Sequence, residues 1–263
     1  MSDIVEIRAH AKLTRTLKMT GLRNDGFHLI DAEMVSLELH DLITIDPKRT
    51  GIDVIGPFAD GVPTGADNLV AKSLELVGRR AHVTIDKRIP HGGGLGGGST
   101  NAAAVLRWGD FGTDAASLLE ASRLGADISF CLVGGRARVS GIGEIVQPLT
   151  HIDREITLVI PPLRIPTPAA YRAWDDLGGV TLDGPNDLEA AAIAVEPRMS
   201  WWRDALTSAL GESPVLAGSG ATWFTERPFE SDDERANALG DLVDEGARIV
   251  VTRTTAQPFA VTS

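Results

Sequence analysis

Apolar and polar residues alternate in Ala81-His82-Val83-Thr84-Ile85-Asp86, the two-residue period of a half-buried strand. Two longer β-rich segments, 4–19 and 29–45, precede it, joined by the turn-like Gly21-Leu22-Arg23-Asn24-Asp25-Gly26. Helices are predicted over 68–77, 101–108, 115–124 and 126–133, and a hairpin over 137–147 turns at Gly141-Ile142-Gly143. In the second half an apolar strand, 156–160, stops at Pro161-Pro162. Helices follow over 168–177, 188–195, 201–210 and 232–246, and a strand over 248–253 closes the pattern. Segments 215–217 and 221–225 flank Gly218-Ser219-Gly220, which predicts a tight hairpin or glycine turn. In Asn186-Asp187-Leu188-Glu189, the Asn and Glu are spaced as in a capping box with Asn186 at the cap.

The run from Pro90 to Asn101 interrupts this pattern, with glycine at 92, 93, 94, 96, 97 and 98. A chain without Cβ atoms turns tightly and lets a ligand approach the backbone. A strand precedes the run, and the helix-forming Asn101-Ala102-Ala103-Ala104-Val105-Leu106 follows it, with Ser99, Thr100 or Asn101 as candidate caps. Strand, glycine loop and helix N-terminus together make an anion site, because the first helical amides lack partners and the macrodipole favours negative charge. A Gly/Ser linker would not carry such flanks. No Lys-Ser or Lys-Thr closes the loop, as the nucleoside-triphosphatase pattern requires. A dinucleotide fingerprint fits Gly92, Gly94 and Gly97, but its acidic partner is hard to place, since Asp114 and Glu120 fall in or beside the next helix.

The chain has 263 residues, enough for one large domain or two smaller ones sharing an interface, with a boundary near residue 155. Its net charge of −11 argues against nucleic acid as a partner, though a local nest of amides can still hold a phosphate. No run approaches the roughly 18 uncharged apolar residues of a membrane span, and the N-terminal residues lack a signal-peptide core, which points to the cytoplasm. The single cysteine, Cys131, excludes an intrachain disulfide and lies among apolar neighbours, as a buried thiol does.

Three separated segments resemble the motifs of the GHMP small-molecule kinases: Ala9-His10-Ala11-Lys12-Leu13-Thr14, the glycine loop at 90–101, and Ala217-Gly218-Ser219-Gly220. Within that superfamily the chain is similar to the members whose acceptor is 4-diphosphocytidyl-2-C-methyl-D-erythritol, of the non-mevalonate isoprenoid pathway. This closer likeness rests on Gly26-Phe27-His28, Asp67-Asn68-Leu69, Gly125-Ala126-Asp127, Thr167-Pro168-Ala169-Ala170-Tyr171 and Asn186-Asp187-Leu188-Glu189, in order along residues 7–226. The resemblance implies an α+β fold of two lobes, an N-terminal ribosomal-S5-like lobe over 1–155 and a C-terminal ferredoxin-like lobe over 156–263, with ATP and acceptor between them. It also implies phosphorylation of a hydroxyl with ATP and Mg²⁺, by a monomer or weak homodimer.

By the same resemblance Asp127 is the base that takes the hydroxyl proton, and Lys12 keeps that carboxylate ionised and stabilises the transferring phosphoryl group. Asn68, Pro90, Gly92, Gly93, Gly94, Leu95, Gly96, Gly97, Gly98, Ser99, Thr100 and Asn101 would bind ATP, with Ser99 or Thr100 reaching Mg²⁺. Thr14, Phe27, His28, Asp127, Tyr171, Gly218 and Ser219 would bind the acceptor, with the aromatic residues around the cytosine ring. Without the resemblance, Asp127 reads as a helix cap, Lys12 as a solvated strand lysine and Tyr171 equally as helix packing. The chain departs from the family at Thr14, usually Asn, at His10, usually Pro, and at Phe27, usually Tyr. Those departures keep two alternatives in play: a kinase for another small alcohol such as mevalonate or homoserine, and a silent nucleotide-binding homologue. A dehydrogenase is a remote further alternative.

Overall fold

The computed structural model describes residues 4–181, 183–256 and, for the backbone alone, 259–262. Two long strands dominate it, β1 (Val5–Leu22) and β2 (His28–Asp46), antiparallel along their whole length. Then come β3 (Gly51–Ile55), α1 (Leu69–Leu76), β4 (His82–Asp86), α2 (Gly97–Trp108), α3 (Ala115–Leu124) and α4 (Ile128–Val133). The hairpin of β5 (Arg136–Gly141) and β6 (Ile145–Leu149) leads into β7 (Glu155–Ile160), α5 (Thr167–Asp176), α6 (Glu189–Val195) and α7 (Arg198–Leu210). The short β8 (Val215–Leu216) and β9 (Trp223–Thr225) precede α8 (Asp232–Asp244), β10 (Arg248–Thr255) and β11 (Phe259–Thr262). The long N-terminal strands, the hairpins and α3 lie where the pattern predicts. Strands β3 and β11 do not announce themselves in the sequence.

Strand β2 organises the sheet. Its first part pairs with β5, its last five residues with β4, and Ser36 and Leu37 with β10. Through β10 the sheet continues to β7, β9 and β8, so one hydrogen-bonded path joins both halves of the chain. Helices α2, α3 and α4 pack Ala102, Leu106, Leu118, Phe130 and Leu132 into one core with Leu17, Ile30 and Val139. A second core surrounds Trp202, Leu206, Trp223 and Leu239. Between the two lies a smaller cluster in which Leu13, Leu95, Ala217 and Phe224 are buried together. Those four residues come from, or adjoin, the three segments singled out by sequence. Apolar burial at that junction holds the three motifs side by side.

Candidate active site

The glycine run crosses the junction as a fitted loop. Leu95 anchors it in the intermediate core, and the Leu95 carbonyl accepts the Lys12 amide at 3.1 Å. Gly92, Gly94 and Gly96 have φ of +74°, +79° and +65°, values that favour glycine. A Cβ on Gly94 would overlap the Ala217 carbonyl oxygen, and one on Gly96 would lie 2.5 Å from Lys12 Cγ. Among the described residues, no amide from Gly92 to Ser99 donates a hydrogen bond within the protein. A row of unpaired amides at the start of α2 is an anion nest.

The helix begins earlier than the sequence suggests. It starts at Gly97, capped by the backbone of left-handed Gly96, and neither Ser99, Thr100 nor Asn101 serves as a side-chain cap. Close packing decides this: a Cβ on Gly97 would stand 2.6 Å from Lys87 Nζ, so only glycine lets the first turn settle there. Gly96→Ala imposes a left-handed alanine, at a cost of ~1–2 kcal/mol, and displaces the Lys12 stem. The expected outcome is a drop in kcat of at least about tenfold with the far-ultraviolet circular dichroism spectrum unchanged. Wild-type kcat in this variant would show that the loop needs no glycine there.

Lys12 is 5% exposed, so it is no solvated strand lysine. The β1–β2 register shifts between His10 and Lys12, and again between Thr14 and Thr16. Such bulges re-aim side chains. His10 turns its Nδ1 to the Leu37 carbonyl, 2.8 Å away, and burial lowers its pKa. Lys12 Nζ lies 3.1 Å from Asp127 Oδ2 and donates to Thr14 Oγ1, also at 3.1 Å. Asp127 immediately precedes α4 but makes no side-chain cap bond. Its carboxylate faces Lys12 instead, which overturns the helix-cap reading. Cys131 lies one turn behind it, buried, and burial followed by the Asp127 charge pushes the thiol pKa far above its ordinary value. It is a packed thiol and not a nucleophile.

Lys12, Thr14 and Asp127 line a cavity of about 480 Å³ whose walls also include Pro90, Gly92–Ser99, Gly218 and Ser219. At the far end stand Phe27, His28 and Tyr171. The His28 and Tyr171 ring centroids are 5.0 Å apart, His28 Nε2 is 2.8 Å from Asp175 Oδ1, and Trp174 meets His28 edge-on at 5.7 Å. Phe27 is 56% exposed at the rim, with the Arg23 guanidinium carbon 5.7 Å from its ring centroid. Burial, and then the Asp127 charge, raise the Tyr171 pKa, so its phenol stays protonated. The third segment closes the opposite wall, where Ser219 Oγ pairs with Thr167 Oγ1 at 2.9 Å.

Three predicted residues lie outside this cavity. Asn68 caps α1, accepting from the Val70 amide at 2.8 Å and donating to the Pro63 carbonyl at 2.6 Å. Thr100 is buried, and its hydroxyl donates to the His10 carbonyl at 2.7 Å, so Ser99 is the hydroxyl of that pair left facing the cavity. Asn101 is buried within α2. The sequence reading also missed Lys87, which lines the cavity floor while paired with the fully buried Asp41. Asp41 accepts in addition from the Arg88 and Ile89 amides, at 2.7 and 2.8 Å, and so fixes the chain just before the glycine run. A lysine at a strand end is too common to signal this. No group of three or more His, Cys, Asp or Glu among the described residues is arranged to hold a metal ion.

The family model for the GHMP kinases N terminal domain matches residues 66–135. The 4-diphosphocytidyl-2-C-methyl-D-erythritol kinase of Paracoccus denitrificans is 39% identical over 235 residues, covering 82% of this chain and 84% of the relative. The enzyme of the same name from Cereibacter sphaeroides is 34% identical over 267 residues, covering 89% and 95%. A crystal structure of 4-(cytidine 5'-diphospho)-2C-methyl-D-erythritol kinase superposes with a TM-score of 0.73 at 29% identity, covering 96% of this chain and 100% of that one. Homoserine kinase from Cytophaga hutchinsonii shares the fold, with a TM-score of 0.67 at 17% identity over 100% of this chain and 98% of that one.

Proposed function

The chain belongs to the 4-diphosphocytidyl-2-C-methyl-D-erythritol kinases of the GHMP kinase superfamily, and we infer from that membership that it transfers the γ-phosphoryl group of ATP to a hydroxyl of that acceptor. The observation that carries the mechanism is the Lys12–Asp127 pair, set between a nest of free amides and an aromatic recess in one cavity. A polyphosphate fits the amides at Gly92–Ser99. A cytosine ring fits the recess, stacking on Phe27 or Tyr171 while His28 offers a polar edge; stacking contributes ~1–3 kcal/mol per base.

Asp127 Oδ2 is engaged by Lys12; the other carboxylate oxygen takes the proton of the acceptor hydroxyl as the hydroxyl oxygen attacks the γ-phosphorus, and the bond from that phosphorus to the β-phosphate oxygen breaks to release ADP. Lys12 holds the carboxylate in place and stabilises negative charge on the transferring group. Phosphoryl transfer needs little more than positioning and charge stabilisation, and the cavity supplies both. Mg²⁺ usually keeps several waters and takes few protein ligands besides phosphate oxygens. Among the described residues the Ser99 hydroxyl at the start of α2 has no hydrogen-bond partner while that of Thr100 is engaged, so Ser99 would hold the ion. Bound there, the ion would neutralise phosphate charge.

Residues 1–155 and 156–263 act as two lobes, with the reaction between them. The partners are small molecules: the charge of −11 disfavours nucleic acid, and no helix among the described residues is long and apolar enough to cross a membrane. The expected setting is the cytoplasm, as a monomer or weak homodimer.

The test is ADP release from Mg·ATP with each of three acceptors: the diphosphocytidyl sugar alcohol, mevalonate and homoserine. Turnover is expected with the first alone. Phe27→Ala is expected to raise its KM by roughly 5- to 100-fold, as loss of one stacking face implies, with the KM for ATP unchanged. Turnover with a different acceptor would trace to Thr14, whose hydroxyl is shorter than the amide usual there. ATP binding without turnover on any of the three would make the chain a silent homologue.

A further inference from the structure

The segment Asn186-Asp187 carries the strongest unexplained geometry in the molecule. Asn186 is not the cap of α6: the helix starts after Leu188, and no side chain caps it. Its amide nitrogen instead donates to the carbonyl of Leu216, just before the third motif, at 2.8 Å and to that of Gly218, within it, at 2.7 Å, while its oxygen accepts from the Leu188 amide at 2.9 Å. The residue is 2% exposed, so neither carbonyl could find water in its place. The segment is also bound to β1. Leu17 N donates to the Pro185 carbonyl at 2.8 Å, Asp187 N donates to the Leu17 carbonyl at 2.9 Å, and the Asp187 carboxylate accepts from Met19 N and Lys18 Nζ, each at 2.9 Å.

Asn186 is thus a brace between the strand that carries Lys12 and the loop that faces it. A Cβ on Gly218 would lie 3.5 Å from Lys12 Nζ and 3.6 Å from Thr14 Oγ1, so the loop backbone adjoins the catalytic pair. A trans peptide is planar, with its C=O and N–H pointing oppositely. Holding Gly218 C=O inward on Asn186 therefore turns the Ser219 N–H outward. Ser219 lines the cavity, and its amide donates to nothing among the described residues.

We propose that Asn186 is a positioning residue that aims the Ser219 N–H at the transferring phosphoryl group, beside Lys12. The inference rests on the kinase reading given above and assigns that site a backbone donor from the second lobe. Asn186→Asp removes both donors and sets a carboxylate against two carbonyls, which frees the 218–219 peptide to turn. The expected result is a kcat lower by roughly 10- to 100-fold, up to the cost of losing one preorganised donor, with the KM values for ATP and acceptor within about threefold. Leu206→Ala, in the second core and away from the cavity, serves as a stability control, expected to lower Tm with kcat unchanged. Wild-type kcat in Asn186→Asp, accompanied only by a lower Tm, would overturn the proposal.

A second measurement does not depend on turnover or on that variant's folding. In ¹⁵N-labelled wild-type protein the Ser219 amide resonance should move on addition of Mg·ATP, and the shift should shrink in Asn186→Ser, which keeps one donor. An unmoved Ser219 resonance in the wild type would overturn the proposal. Movement of that resonance without turnover on the cytidyl acceptor would sink the acceptor assignment and leave the brace standing.

Discussion

Asp127→Asn is expected to lower kcat by about 10²- to 10⁴-fold, the range that a positioned general base contributes, while ATP affinity stays within about twofold. An amide cannot take the hydroxyl proton, but it nearly matches the carboxylate in shape and can still accept from Lys12 Nζ. The geometry adds a second expectation. Lys12 is almost fully buried, and its charge is balanced by Asp127. Neutralising the aspartate leaves the buried ammonium facing two neutral acceptors, the new amide and the Thr14 hydroxyl, in place of a carboxylate, so Tm should fall as well. Single-turnover phosphoryl transfer at saturating ATP separates the two effects, since a merely less stable enzyme would retain its rate below Tm. An unreduced single-turnover rate would remove Asp127 from the chemistry.

Lys12→Met is expected to cost about 10²- to 10³-fold in kcat, as removal of one charge-stabilising donor does, but with a smaller fall in Tm than Asp127→Asn. The asymmetry follows from exposure. The Asp127 side chain is 31% exposed and can rehydrate when its partner is lost, whereas the lysine cannot. Methionine also fills much of the lysine stem's volume among Gly96 and the β1 neighbours, so packing survives. Thermal denaturation of the two variants side by side, with kcat for each, checks the order. If Lys12→Met raised the KM for ATP and spared kcat, the lysine would be a binding residue alone.

The anion nest was legible from local chemistry. Glycine at 92, 94 and 96 permits left-handed backbone angles, and the missing Cβ atoms leave room for Lys12, Lys87 and Ala217; both are properties of the residue type. The long strands, the hairpins and most helices were legible too, because hydrophobic period and turn residues act over a few positions. Lys12 and Asp127 stood out only through the family resemblance; by themselves they read as a surface lysine and a helix cap.

Pairings between distant segments needed the tertiary structure. The burial of Lys12, its contact with Asp127, the Lys87–Asp41 floor and the brace from Asn186 to Gly218 all join elements that meet across the junction. So does the start of α2 at Gly97, which three nearby hydroxyl and amide side chains made look later by offering caps that the fold did not use. A local rule weighs a side chain against its immediate neighbours, and by that measure Asn186 and Glu189 make a capping box. In the folded chain the same amide faces two buried carbonyls with no water to satisfy them, and that need outweighs a helix cap that solvent can replace. Sequence alone determined where the backbone could bend and bind an anion. Packing across the junction decided which charges and amides face that anion.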